Sequence, residues 1–150
     1  MKMFFALLTA MTVSSISHAE LKPPGSFLAS KCSAVRYTSN SAPRNPIYKL
    51  CFGSITGGFG IKAQQAVSVV RPIGSPEILK IEDVIPKEVM SGNGEIFDYQ
   101  LINKNGDTRH LEVILENGKV VKASGKDGGA SFVADQFQTV YNTMSLKTIL

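Results

Sequence analysis

Between residues 95 and 124, apolar and polar side chains change places at nearly every step. Phe97, Tyr99 and Leu101 alternate with Asp98 and Gln100, and Leu111, Val113 and Leu115 frame Glu112 and Ile114. A period of two marks a strand with one buried face. The two runs are separated by Asn103-Lys104-Asn105-Gly106-Asp107. A two-residue turn at Asn105-Gly106 would set Tyr99 against Glu112. A three-residue loop with Gly106 left-handed sets Tyr99 against Leu111 and Phe97 against Val113, which keeps one face apolar and is the register predicted. The same reasoning at Glu116-Asn117-Gly118-Lys119 predicts another three-residue loop, pairing Val113 with Val121, Leu111 with Ala123, Ile114 with Val120 and Glu112 with Lys122. Apolar and opposite-charge partners then agree across the ladder.

Upstream, Lys31 to Ser39 and Ile47 to Phe52 read as strands of a hairpin around Ser41-Ala42-Pro43-Arg44-Asn45-Pro46, where two prolines fix φ. Ile61 to Val70 is a further strand, interrupted in its alternation by Gln64-Gln65 and stopped by Arg71-Pro72-Ile73-Gly74. Ile78 to Ile85 is another, ended by Pro86. Before them, Leu21 to Ser26 reads as an extended arm. Ser124-Gly125-Lys126-Asp127-Gly128-Gly129 is expected to break the sheet. Beyond it, Val133, Phe137, Val140, Tyr141 and Met144 fall on one helical stripe, which tips residues 131–147 toward a helix. Thr139, Val140, Tyr141 and Thr143 carry the opposite, strand preference. The expected fold class is mainly β: a small antiparallel sandwich or barrel, with or without one C-terminal helix.

The amino terminus carries an export signature. Lys2 is followed by the apolar run Met3 to Val13, then by Ser17-His18-Ala19 with small residues where a signal peptidase reads. A membrane span needs about 20 apolar residues, and Ser14, Ser15 and Ser17 end this run early. Residues 1–19 are therefore expected to be a cleaved signal peptide and 20–150 a single disulfide-bonded β-rich domain. No transmembrane segment is expected in the mature chain, which would be periplasmic or secreted. Cys32 and Cys51 are the only cysteines. In an oxidising compartment they are expected to pair, closing a loop of about 20 residues worth roughly 3 kcal/mol in the chain-entropy account.

The chain carries a formal charge of +4, distributed unevenly. Residues 20–76 hold Lys22, Lys31, Arg36, Arg44, Lys49, Lys62 and Arg71 against Glu20 alone, whereas the remainder is net acidic. Lys31, Arg36, Arg44, Lys49, Lys62 and Arg71 are accordingly the candidate binding residues for an anionic partner. An envelope polymer or an acidic protein is the expected partner class, and nucleic acid is not.

No catalytic signature emerges. Gly53-Ser54-Ile55-Thr56-Gly57 puts isoleucine at the nucleophile position of a nucleophile elbow. The glycines of Gly53 to Gly60 lack the lysine ending of a phosphate-binding loop. His110 is the mature chain's one histidine and belongs to no triad or zinc pattern. Glu82 and Asp83 are strand neighbours that point to opposite faces. No enzymatic activity, cofactor or metal is expected.

The segment Ser91-Gly92-Asn93-Gly94, followed by Tyr99, resembles the Ser/Gly-rich loop that periplasmic lysozyme inhibitors insert into their target's cleft. The likeness is confined to residues 91–99, the chain has no tryptophan, and no functional residue is carried over from it. Two readings follow: a small exported binding or inhibitor protein, or an envelope structural component whose basic first half contacts an acidic partner.

Overall fold

The computed structural model describes residues 26–56, 64–89, 92 and 94–140. The expected leader, the arm before Ser26, Lys62, Ser91, Asn93 and the last ten residues lie outside them. The described chain forms ten strands: β1 (Ser26–Ala34), β2 (Arg36–Tyr37), β3 (Lys49–Thr56), β4 (Gln64–Val70), β5 (Glu77–Val89), β6 (Gly94–Ile102), β7 (Thr108–Glu116), β8 (Lys119–Asp127), β9 (Ala130–Ala134) and β10 (Gln138–Thr139). All belong to one antiparallel sheet ordered β10-β1-β3-β4-β5-β6-β7-β8-β9-β2. One sheet replaces the two packed sheets of a sandwich.

That order implies a strong curl. The strands at its two ends, β10 and β2, continue β9 and β1 along the chain. β1 pairs with β10 through Lys31–Thr139 and Cys32–Gln138, while β2 pairs with β9 through Arg36–Val133 and Tyr37–Phe132. Where the two ladders are interrupted, Ser33 Oγ accepts a hydrogen bond of 2.9 Å from the Gln136 amide. The first and last described segments thus lie side by side, and the sheet's concave face gathers one core from seven strands. Leu50, Phe52, Val67, Leu79, Leu101, Leu111, Val113, Ala123 and Phe132 are all buried there.

The β6–β7 register is the predicted one, Tyr99 opposite Leu111 and Phe97 opposite Val113, with Gly106 at φ 87°. The β7–β8 register is not. Asn117 and Gly118 both adopt positive φ, 52° and 76°, in a two-residue turn, the conformation that matches strand twist in tight hairpins. A bulge then lets Leu115 pair with Val120 but Val113 with Ala123. Val121 is the extra residue, and it returns the apolar set to the concave side without a longer loop.

Three further expectations are corrected. β8 runs through Gly125 to Asp127, and Gly128-Gly129 is a hairpin turn rather than a break, with Asp127 paired to Ala130. β5 runs through Pro86, beside a bulge and beyond the four residues that pair with β4, where the missing N–H leaves little unsatisfied. No helix follows Gly129 among the described residues. Val133 stands on the convex face opposite Ser124, and Phe137 reaches the core, 5.5 Å from Phe52 between ring centroids. The backbone there completes the exposed edges of β1, β2 and β8, a long-range demand that overrides the local stripe. Tyr141 and Met144 fall outside the described residues.

Cys32 and Cys51 form the expected disulfide between directly opposed positions of β1 and β3. Gly53, two residues on, lies where β1 bulges, and a Cβ there would overlap the Leu28 carbonyl. Only glycine permits that approach.

Candidate functional site

The two ends of the concavity differ in chemistry. At the end carrying the β4–β5, β6–β7 and β8–β9 connections, Arg71 and Asp127 meet across the curl. Arg71 Nη1 donates to Asp127 Oδ2 at 2.8 Å and Nη2 to Oδ1 at 2.9 Å. The two side chains keep 22% and 12% of their exposure, so the pair is largely withdrawn from water. Tyr37 Oη donates to the same carboxylate at 2.9 Å and accepts the Ile47 amide at 2.7 Å. Arg71 also donates to the Asn45 carbonyl, and the Asn45 side chain exchanges hydrogen bonds with both backbone groups of Ile73.

No buried side-chain nitrogen or oxygen in this knot lacks a hydrogen-bond partner. The Arg71 hydrogen bonds hold the Asp127 carboxyl below the usual carboxylate range, burial opposing them. Asp127 in turn raises the Arg71 guanidinium, and burial lifts the Tyr37 phenol. A bidentate, fully satisfied pair of this kind closes one end of the concavity.

The opposite end, beside the Asn117-Gly118 turn, is not closed by paired charges among the described residues. A cavity of about 440 Å³ lies there, within the size range of small-molecule sites. Its walls are Phe52, Ile81, Val84, Tyr99 and Val120, and its polar margin is Ser30, Lys31, Gln65 and Lys119. Strand parity explains the convergence. Lys31 stands opposite Phe52, Gln65 opposite Ser54, Ile81 opposite Leu101, Val84 opposite Tyr99 and Val120 opposite Leu115, so each points to the concave side. Val84 keeps 41% of its exposure although it is a large apolar side chain. Phe52 and Tyr99 meet edge to face at 6.0 Å between centroids. Burial pushes the Tyr99 phenol up, so its hydroxyl stays protonated, and it donates no hydrogen bond among the described residues. Neither Lys31 nor Lys119 makes an ion pair among the described residues, although Glu116 stands opposite Lys119 in the ladder.

A larger depression, of about 820 Å³, spans the Arg71 end and the adjoining convex face. Its charges are largely spent on one another. Besides Arg71–Asp127, Lys87 Nζ lies 2.9 Å from Glu112 and His110 Nδ1 lies 3.1 Å from Asp98. The Asp98–His110 contact has the form of two members of a catalytic triad. Among the described residues no hydroxyl or thiol hydrogen-bonds to that ring, and no three His, Cys, Asp or Glu side chains converge as a metal site.

The six basic residues singled out in the sequence are not gathered into one patch among the described residues. Lys31 lines the apolar cavity. Arg36 is exposed and paired with Asp135 at 2.8 Å, Arg71 is in the knot, and Arg44 is exposed between β2 and β3. Lys49 borders a shallow depression over the β1–β10 seam, and Lys62 lies outside the described residues. Lys119, Ile81, Val84 and Val120 were not visible as site residues, because only the curl brings their strands together. Among the described residues no helix is long and apolar enough to cross a membrane.

Comparisons with family profiles, with curated proteins and with solved structures find no match for this chain.

Proposed function

We propose that this chain is an exported, non-enzymatic binding protein, periplasmic or secreted, whose ligand enters the open end of the concave face. The observation that carries the reading is the contrast between the two ends. One is closed by a knot of paired charges, while the other presents apolar walls and a margin of lysines that make no ion pair among the described residues. An apolar recess with a few convergent polar groups is the common form of a small-molecule site. The Cys32–Cys51 bridge supports an oxidising compartment.

The test uses N-phenyl-1-naphthylamine, a neutral probe whose emission rises in apolar surroundings. The oxidised protein is expected to bind it saturably. Val120→Asp, which sets a carboxylate into the wall, is expected to weaken binding at least about tenfold, the cost of burying a poorly paired charge. Lys126→Ala, on the convex face, is expected to leave it unchanged. No saturable binding, or equal binding by both variants, contradicts the reading.

The alternative, an envelope component that contacts an acidic partner, draws support from exposed Arg44 and from Lys49. It has less to use than the sequence offered, since Arg36 and Arg71 are committed to Asp135 and Asp127. Partner capture that weakens steeply with ionic strength would favour it.

A further inference from the structure

We propose that the ligand of the open cavity is an anionic amphiphile, a single unbranched apolar chain ending in a carboxylate or phosphate. This inference deepens the binding reading and rests on it. The chain would lie against Phe52, Ile81, Val84 and Val120, and the head would meet Lys31 and Lys119 at the margin.

Five features of the cavity point the same way. Its walls come from β3, β5, β6 and β8 and are aliphatic or aromatic, so they offer dispersion and area burial rather than a hydrogen-bond code. A ligand matching such walls has an apolar body. The two cations sit on strands β1 and β8 at the margin, neither is in an ion pair among the described residues, and the lysine stem can follow the apolar wall while its ammonium stays wet. A ligand matching both wall and margin therefore carries its negative charge at one end. Tyr99 adds a hydroxyl whose proton is uncommitted among the described residues, a neutral donor for an anionic head. Among the described residues no carboxylate lines the cavity, so a cationic head finds no counter-charge among them. The cavity of about 440 Å³ is too small for a folded protein segment of any length but suits one flexible chain.

Displacement of bound N-phenyl-1-naphthylamine tests this. Monomeric decanoate is expected to displace the probe at a concentration about tenfold lower than decyltrimethylammonium, the scale of a charge-assisted contact partly open to water. Butyrate, with the head but little chain, is expected to fail. The Lys31→Glu/Lys119→Glu variant is expected to lose or reverse the preference, read as the ratio of the two displacing concentrations so that any change in probe affinity cancels. Lys31→Gln/Lys119→Gln is expected to erase it, which guards against a folding defect in the first variant. Equal displacement by decanoate and the cation overturns the proposal, as does a preference that survives in both variants. Displacement by butyrate as effective as by decanoate reduces the site to an anion site and also overturns it. Phosphatidylglycerol vesicles that compete where monomeric decanoate does not would assign this face to a membrane surface, with the same consequence. Failure of the probe itself to bind would instead sink the binding reading beneath.

Discussion

Replacing Asp127 by alanine is expected to lower the free energy of unfolding by about 2–3 kcal/mol. Breaking a fully buried ion pair costs about 3–5 kcal/mol, because the remaining charge is stranded. Arg71 retains 22% of its side-chain exposure and can recover some hydration, so the lower part of that range applies. The loss also strands the Tyr37 hydroxyl, which donates to the same carboxylate. Urea unfolding followed by circular dichroism reads the change directly.

Acid should remove the same stabilisation in the wild type. Because Arg71 holds the Asp127 carboxyl below its ordinary value, the folded state binds that proton less readily than the unfolded chain. The contribution is complete above the unfolded value of about 3.9 and is lost as pH falls through the lower folded value. The gap between wild type and Asp127→Asn should therefore be widest at neutral pH and close in strong acid. Asp135, held low by Arg36 at the surface, titrates alike in both proteins and cancels from the comparison. A gap that stays constant down to about pH 2 would mean that the charge of Asp127 is not what holds this end together.

Loss of the Cys32–Cys51 bridge is expected to cost about 3 kcal/mol. The bridge joins positions that the β1–β3 ladder already sets opposite each other, so it adds little order to the native state. Its effect falls on the unfolded chain, where closing 19 residues of separation removes conformations. Cys51 is also buried against Phe27, Ala29 and Ala66, and alanine is the substitution that puts no hydroxyl there. In urea, the Cys32→Ala/Cys51→Ala variant should unfold at a lower midpoint than the oxidised wild type. A reductant should bring the wild type down to the variant and leave the variant unmoved. A wild type indifferent to reductant would contradict the bridge.

How far the sequence disclosed this arrangement depended on the range of the interaction. The β6–β7 register was legible because side-chain alternation and the Asn105-Gly106 loop gave the same answer within twenty residues. The β7–β8 register was not, because two devices restore a broken alternation, a longer loop or a bulge, and only the second operates at Val121. Pro86 looks like a stop in the sequence because nothing local shows that its missing N–H lies beyond the residues paired with β4. The tail suggests a helix in the sequence because Val133 and Phe137 fit a 3.6-residue stripe. Their actual demand comes from β1, β2 and β8, as many as a hundred residues away.

The candidate site shows the same limit more sharply. Lys31 entered through the charge imbalance of the first half, whereas the apolar walls around it lie on strands that only the curl assembles. Arg71 entered for the same reason and turned out to be bound to Asp127, 56 residues on. No local pattern distinguishes a committed arginine from an available lysine.

On the proposed reading, the Arg71–Asp127 end of the concave face is sealed and the Asn117-Gly118 end takes the ligand. An ¹H–¹⁵N titration of the oxidised protein with monomeric decanoate tests it residue by residue. Saturable shifts are expected at Lys31, Phe52, Ile81, Val84, Gly118 and Val120, with Arg71, Asp127 and the convex-face residues Asp98 and His110 unmoved. Shifts centred on Asp98, His110 and Lys126, with the cavity residues silent, would contradict it.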